Sequence, residues 1–258
     1  MQTISLHLQL NCFKVRIAIV FIILAVVCDR AYGQPVFTFN CNPVTGDTIR
    51  LFRVDTTGLA EGGMGASQTW NFSVALPDTP YAEIVYVNPA GTPYQTHFSS
   101  ANVVAKLSGT GLYMYFIADS TSLMLLGNAS PEIVAASTNP STTRIYPMEL
   151  NQTVTDSVVT SWSSESMRSA GSKTLTYDAY GSLTINGKTF ANAVRLHSVE
   201  EVTNTYGTRN VLVQSESFEW IDSVNGDVLM QITNSTVDAG EDNEGQMQVV
   251  TVTSNAID

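Results

Sequence analysis

Beyond Gln34 the chain alternates. Short runs of β-branched and aromatic residues are broken every few positions by Gly, Pro, Asn and Asp, and no long stretch keeps apolar residues at helical spacing. Trp70, Phe72 and Val74 alternate with Asn71 and Ser73, the period of two that sends successive side chains to opposite faces of a strand. Runs of the same kind cover residues 47–54, 81–87, 111–118, 154–162, 173–178 and 246–253. Thr and Ser fill many of their polar positions, as suits a wet sheet face. The pattern predicts an all-β fold.

Turn chemistry refines this. Asn186-Gly187 separates residues 181–185 from 188–202, and Asn225-Gly226 separates 211–221 from 227–233. Both central residues of a type I′ turn need φ > 0, which Asn and Gly tolerate best, so each step predicts a tight antiparallel hairpin. Around the first, Leu183 falls opposite Phe190. Tyr206-Gly207 marks another turn, and residues 238–245 form a polar, acidic final one. From about Val154 the chain therefore reads as an antiparallel meander forming a curved sheet, half-barrel or β-sandwich. Residues 34–258 read as a single domain, with a candidate sub-boundary near 139–150 at Asn139-Pro140-Ser141.

Residues 1–33 read differently, as a signal peptide. Lys14 and Arg16 flank an apolar run, 17–28, that is shorter than the about 20 helical residues needed to span a bilayer. Ala31 and Gly33 stand at −3 and −1 of a cleavage site before Gln34. A lipoprotein signal with Cys28 as the lipidated residue competes, but Ala25-Val26-Val27 lacks the small residue wanted just ahead of that cysteine. The expectation is an exported protein, secreted, at the cell surface or periplasmic, with no transmembrane segment in the mature chain. Cleavage removes Cys12 and Cys28, so Cys41 has no intrachain partner and stability must come from the core. Cys41 itself is either a small buried hydrophobe or an intermolecular or reactive thiol.

Composition adds limits. With 44% hydrophobic residues in 258 the chain can bury a substantial core. A net charge of −11 argues against nucleic acid, because phosphate contacts need clustered Lys and Arg. Three stretches, Gln68-Thr69-Trp70-Asn71-Phe72-Ser73, Tyr180-Gly181-Ser182-Leu183-Thr184 with Phe190-Ala191-Asn192-Ala193-Val194-Arg195, and Phe218-Glu219-Trp220, resemble recurring segments of uncharacterised exported β-rich proteins of Bacteroidota. Those relatives often end in a type IX secretion sorting domain, which is not evident here. The resemblance implies export and a β-rich fold, and it brings no activity.

Familiar catalytic equipment is sparse. Only His97 and His197 follow Gln34, neither in H-E-x-x-H spacing. Gly65-Ala66-Ser67-Gln68-Thr69 departs from a nucleophile elbow at its last residue and leads into a strand. No phosphate or dinucleotide fingerprint occurs, and no cofactor is expected. The acidic loop Asp238, Glu241, Asp242, Glu244 offers carboxylates for calcium, yet Asn243 stands where an EF-hand would need Gly. A solvated hairpin tip is the favoured reading.

One constellation remains. Within 189–202, Phe190, Val194, Leu196 and Val202 share an apolar face, so Arg195, His197 and Glu201 point the other way. An even-numbered loop at 206–209 adds Glu216, Phe218 and Trp220 to that second face; an odd one adds Ser215, Ser217 and Glu219. Rings beside charged groups suit a glycan or a small polar ligand. The expected function is a non-catalytic binding or structural module of the cell envelope or secreted fraction, whose partner is a glycan or another envelope protein. The alternative is a polysaccharide-degrading enzyme with Glu201 and Glu216 as its acids.

Overall fold

Period-two segments need neighbours for their backbone N–H and C=O groups, and here nearly every one of them finds two. The computed structural model describes residues 34–163, 167–240 and 244–257. In chain order its strands are β1 (Thr48–Val54), β2 (Gly65–Phe72), β3 (Ala82–Val87), β4 (Val103–Leu107), β5 (Leu112–Ala118), β6 (Ser122–Ala129) and β7 (Val134–Ile145). The longer ones follow: β8 (Thr153–Trp162), β9 (Met167–Ile185), β10 (Lys188–Tyr206), β11 (Arg209–Asp222), β12 (Val228–Asp238) and β13 (Glu244–Thr253), then a single turn of helix, α1 (Ser254–Ile257). Among the described residues no helix is long and apolar enough to cross a membrane.

From β3 to β13 each strand pairs antiparallel with the next. β13 then pairs with β1 (Leu51↔Thr253), and β1 with β3 (Ile49↔Ile84). The fold is all-β, and its meander closes completely into a twelve-stranded barrel, going beyond the half-barrel or sandwich the sequence suggests. β2 stands outside the ring. It lies parallel to the far end of β9 (Trp70↔Leu183, Phe72↔Ile185), on an edge left open because β8 covers only Arg168 to Thr176 of that long strand. Close approach of β2 requires Gly181, where any Cβ would collide with the Gln68 backbone.

Asn186 (φ 49) and Gly187 (φ 87) form the expected two-residue turn, with Leu183 opposite Phe190. The Asn186 side chain also bonds both the N–H and the C=O of Val74, clamping the chain after β2. The Asn225-Gly226 expectation needs correction. The strands it joins do form a hairpin, but across a five-residue connection, residues 223–227, in which only Gly226 has positive φ. That longer loop packs on the N-terminal segment: a Cβ on Gly226 would come within 2.5 Å of Cys41 Cα. Asn139-Pro140-Ser141 lies inside β7 rather than in a connection. Proline has no N–H to donate, and the β7–β8 ladder stops at Asn139↔Val159. Asp156 of β8 bridges the interruption, accepting the Thr142 N–H and hydroxyl (2.8 Å each) and the Asn139 amide.

Burial alone would raise the Asp156 pKa, but these donors overrule it and hold it below the ordinary 3.8. A depressed carboxylate stabilises the fold above its unfolded pKa and loses that contribution as pH falls through the folded one. Asp156→Asn is therefore expected to lower stability by about 1 kcal/mol at neutral pH. It should also flatten the acid side of a urea-midpoint profile below about pH 4. An unchanged acid slope would show that the seam is closed by something else.

Three apolar layers result. One draws on strands all round the ring, Val103, Phe116, Leu123, Tyr177, Val194 and Ile221 among them, and fills the barrel. The N-terminal segment plugs it: Phe37 and Cys41 are buried there, Phe37 pairs with Met148, and the Tyr177 hydroxyl donates to the Pro35 carbonyl. Burial pushes the Cys41 thiol pKa up, so of its two readings the packed hydrophobe fits and the reactive or intermolecular thiol does not. A second, smaller layer lies on the opposite face of β4–β6, where Phe98 stacks on Tyr115 at 4.4 Å. The third lies on the opposite face of β10–β13, under β2.

Candidate functional site

Only Gly207 and Thr208 separate β10 from β11, since Tyr206 pairs with Arg209. The even register follows. Arg195 faces Trp220, His197 faces Phe218, and Val199 faces Glu216. The six expected site residues therefore share one face, but that face is divided along its length.

Its upper half is core. Arg195, Phe218 and Trp220 are 1%, 5% and 0% exposed, so these three residues are out of reach of any ligand. The reason is β2, whose Trp70 and Phe72 meet Trp220 edge to face at 5.9 and 5.5 Å. The Arg195 guanidinium sits 5.1–5.6 Å from the rings of Phe218, Trp220 and Trp70. It is bound in bidentate fashion by Asp178 (2.9 and 2.7 Å) and donates to the Glu61 carbonyl. Asp178 occupies a β-bulge between Tyr177 and Ala179. There the odd positions of β9 switch faces: Tyr177 and Leu175 lie in the barrel, while Ala179, Leu183 and Ile185 join the outer layer. The three segments that carry the sequence resemblance converge here, through Trp70, Leu183, Arg195, Phe218 and Trp220.

The lower half is open. His197 marks the boundary, stacked flat on Phe218 (4.5 Å, 3°) with its Nε2 2.9 Å from Glu216 Oε1. Below it a shallow depression of about 640 Å³ runs across β10–β13. Glu201 and Glu216 line it, joined by residues that sequence reasoning missed: Gln214, Asn234, Gln246 and Gln248. Gln214 donates to Glu201 (2.8 Å), and Gln248 donates to Asn234 (2.9 Å). Same-face pairing carries the polar row across the sheet: Glu216↔Asn234↔Gln248 and Gln214↔Thr236↔Gln246. Only the register shows this, because β12 is polar on both faces at that level and so gives no alternation to read.

Side-chain amides donate and accept at once, and free carboxylate oxygens accept, so the surface can pair with a ligand's hydroxyls in either sense. Glu201 and Glu216 sit diagonally across the ladder, about 7–8 Å apart by strand geometry. Glu201 is exposed and Glu216 half-buried, with 47% of its side chain accessible. Of the acidic loop, Asp238 and Glu244 pair across the hairpin base and are exposed, while Glu241 and Asp242 lie outside the described residues. Among the described residues no three His, Cys, Asp or Glu side chains are grouped to hold a metal ion. No family model, curated protein or solved structure matches the chain.

Proposed function

We propose that this chain is an exported, non-catalytic binding module of the cell envelope or secreted fraction, presenting the polar face of β10–β13 to a hydroxyl-rich ligand such as a glycan. The observation that carries the reading is the row of amides and carboxylates along one open depression, Glu201, Gln214, Glu216, Asn234 and Gln248. Such a row matches a ligand that offers many hydroxyls and little charge. Recognition rests on hydrogen bonds, because the rings expected to stack on sugar faces are enclosed.

A hydrolase would need one of its two carboxyls kept protonated by apolar surroundings and the reacting bond shielded from water. Glu201 is exposed and Glu216 half-buried beside His197, each engaged by a polar neighbour rather than set among apolar groups, which favours binding over turnover. The signal-peptide reading of residues 1–33 supports export, and an intact mass beginning at Gln34 is the expected form.

A glycan array followed by a hydrolysis assay tests the proposal. Bound glycans are expected to be retained without cleavage, and Gln248→Ala and Glu216→Gln each to weaken binding about tenfold. Failure to bind any glycan would sink the reading. So would hydrolysis that Glu201→Gln abolishes with the fold intact.

A further inference from the structure

A second cavity, of about 180 Å³, lies away from the polar face, where the N-terminal segment, the start of β1, and the loop between β11 and β12 meet. Its wall carries both signs of charge. Arg144 supplies the positive one and is more than nine-tenths buried. Nη1 donates to the Cys41 carbonyl (2.8 Å) and Nη2 to Glu219 (3.2 Å), but the Nε–H has no acceptor. That N–H is sealed from the cavity as well as from solvent, so what Arg144 brings to the space is its charge. Tyr86 lines the same space, and among the described residues nothing bonds its hydroxyl. Asp47 and Asp227 supply the negative charge.

Asp227 accepts one bond from Asn255 (2.9 Å). Burial, together with the charges of Asp222 and Asp47, pushes its pKa up, and the charge of Lys188 offsets only part of this. A cation brought beside it would relieve that repulsion. The space is well below the about 300–1,000 Å³ of ordinary ligand pockets, which excludes a nucleotide or an oligosaccharide. We propose that this cavity binds a small zwitterion, with its carboxylate toward Arg144 and Tyr86 and its ammonium toward Asp227 and Asp47. A free α-amino acid with a short side chain has that chemistry and that size. The proposal is independent of the glycan reading, since it uses other residues in another part of the fold.

Calorimetric titration of the mature protein with glycine, L-alanine and L-serine, and separately with acetate and methylamine, tests it. Saturable millimolar binding is expected for at least one amino acid, with acetate and methylamine each about tenfold weaker or worse. Asp227→Asn and Tyr86→Phe should each weaken the amino acid about tenfold and leave the circular dichroism spectrum unchanged. Asp47→Asn, at an exposed position, provides the same readout if Asp227→Asn does not fold. The proposal is overturned if none of the three amino acids saturates. Equal binding of acetate or methylamine alone, or full affinity in the folded variants, would also overturn it.

Discussion

Asp178→Ala is expected to destabilise the protein by about 3–5 kcal/mol, because it strands the Arg195 guanidinium without a counter-charge in a layer closed to water. The three rings around Arg195 replace only part of that loss, since cation–π contacts contribute about 0.5–2 kcal/mol each. The bond from Arg195 to the Glu61 carbonyl ties down the chain that leads into β2, so the damage should spread to β2 docking. Removing both charges is a different experiment. In Asp178→Leu/Arg195→Met no uncompensated ion remains, and such replacements are often neutral or stabilising. Urea unfolding of Asp178→Ala and of the double variant separates the cases. The double variant should retain clearly more stability than Asp178→Ala, and a double variant at least as unstable would show that the ion pair itself holds the bulge.

Trp220→Ala should lower stability by a similar amount, about 3–5 kcal/mol, for a different reason: it empties the space between β2 and the β10–β13 wall. Trp220 touches Trp70 and Phe72 edge to face and forms one side of the Arg195 enclosure, so little can move in to fill the gap. Its indole N–H has no acceptor, and Trp220→Phe therefore forfeits no hydrogen bond and should be much milder. Thermal or urea unfolding read by near-ultraviolet circular dichroism checks both. Equal losses for Ala and Phe would mean that ring size at this position matters less than the geometry requires.

These two residues also show what the sequence could and could not reveal. The alternation of β10 placed Arg195, His197 and Glu201 on one face, and a two-residue loop put Glu216, Phe218 and Trp220 beside them; both are local facts, legible from spacing. Local spacing cannot say what lies above a face. An arginine on a strand reads as outward-facing because polarity is counted and partners are not, and its partner Asp178 sits at a bulge that no period-two pattern anticipates. The cover itself is β2, a parallel strand brought in from more than a hundred residues away. The same limit explains the depression. Glu201 and Glu216 were visible, whereas Gln214, Asn234, Gln246 and Gln248 join them only through ladder registers set by long-range closure. Asn225-Gly226 misled because a strong turn signal was outweighed by packing against Cys41.

Ring closure through β1 and β13 has a kinetic corollary. β1 is the first strand of the ring to be made, yet one of its two neighbours is β13, so the hoop cannot be fastened until all the strands between them have been made. Hairpins such as β9–β10 can form meanwhile, while β1 waits with an unfilled edge. A circular permutant that joins the original ends and begins at Thr208 would bring β13 and β1 closer along the chain but make the longer β10–β11 ladder the distant clasp, and it should refold more slowly than the parent.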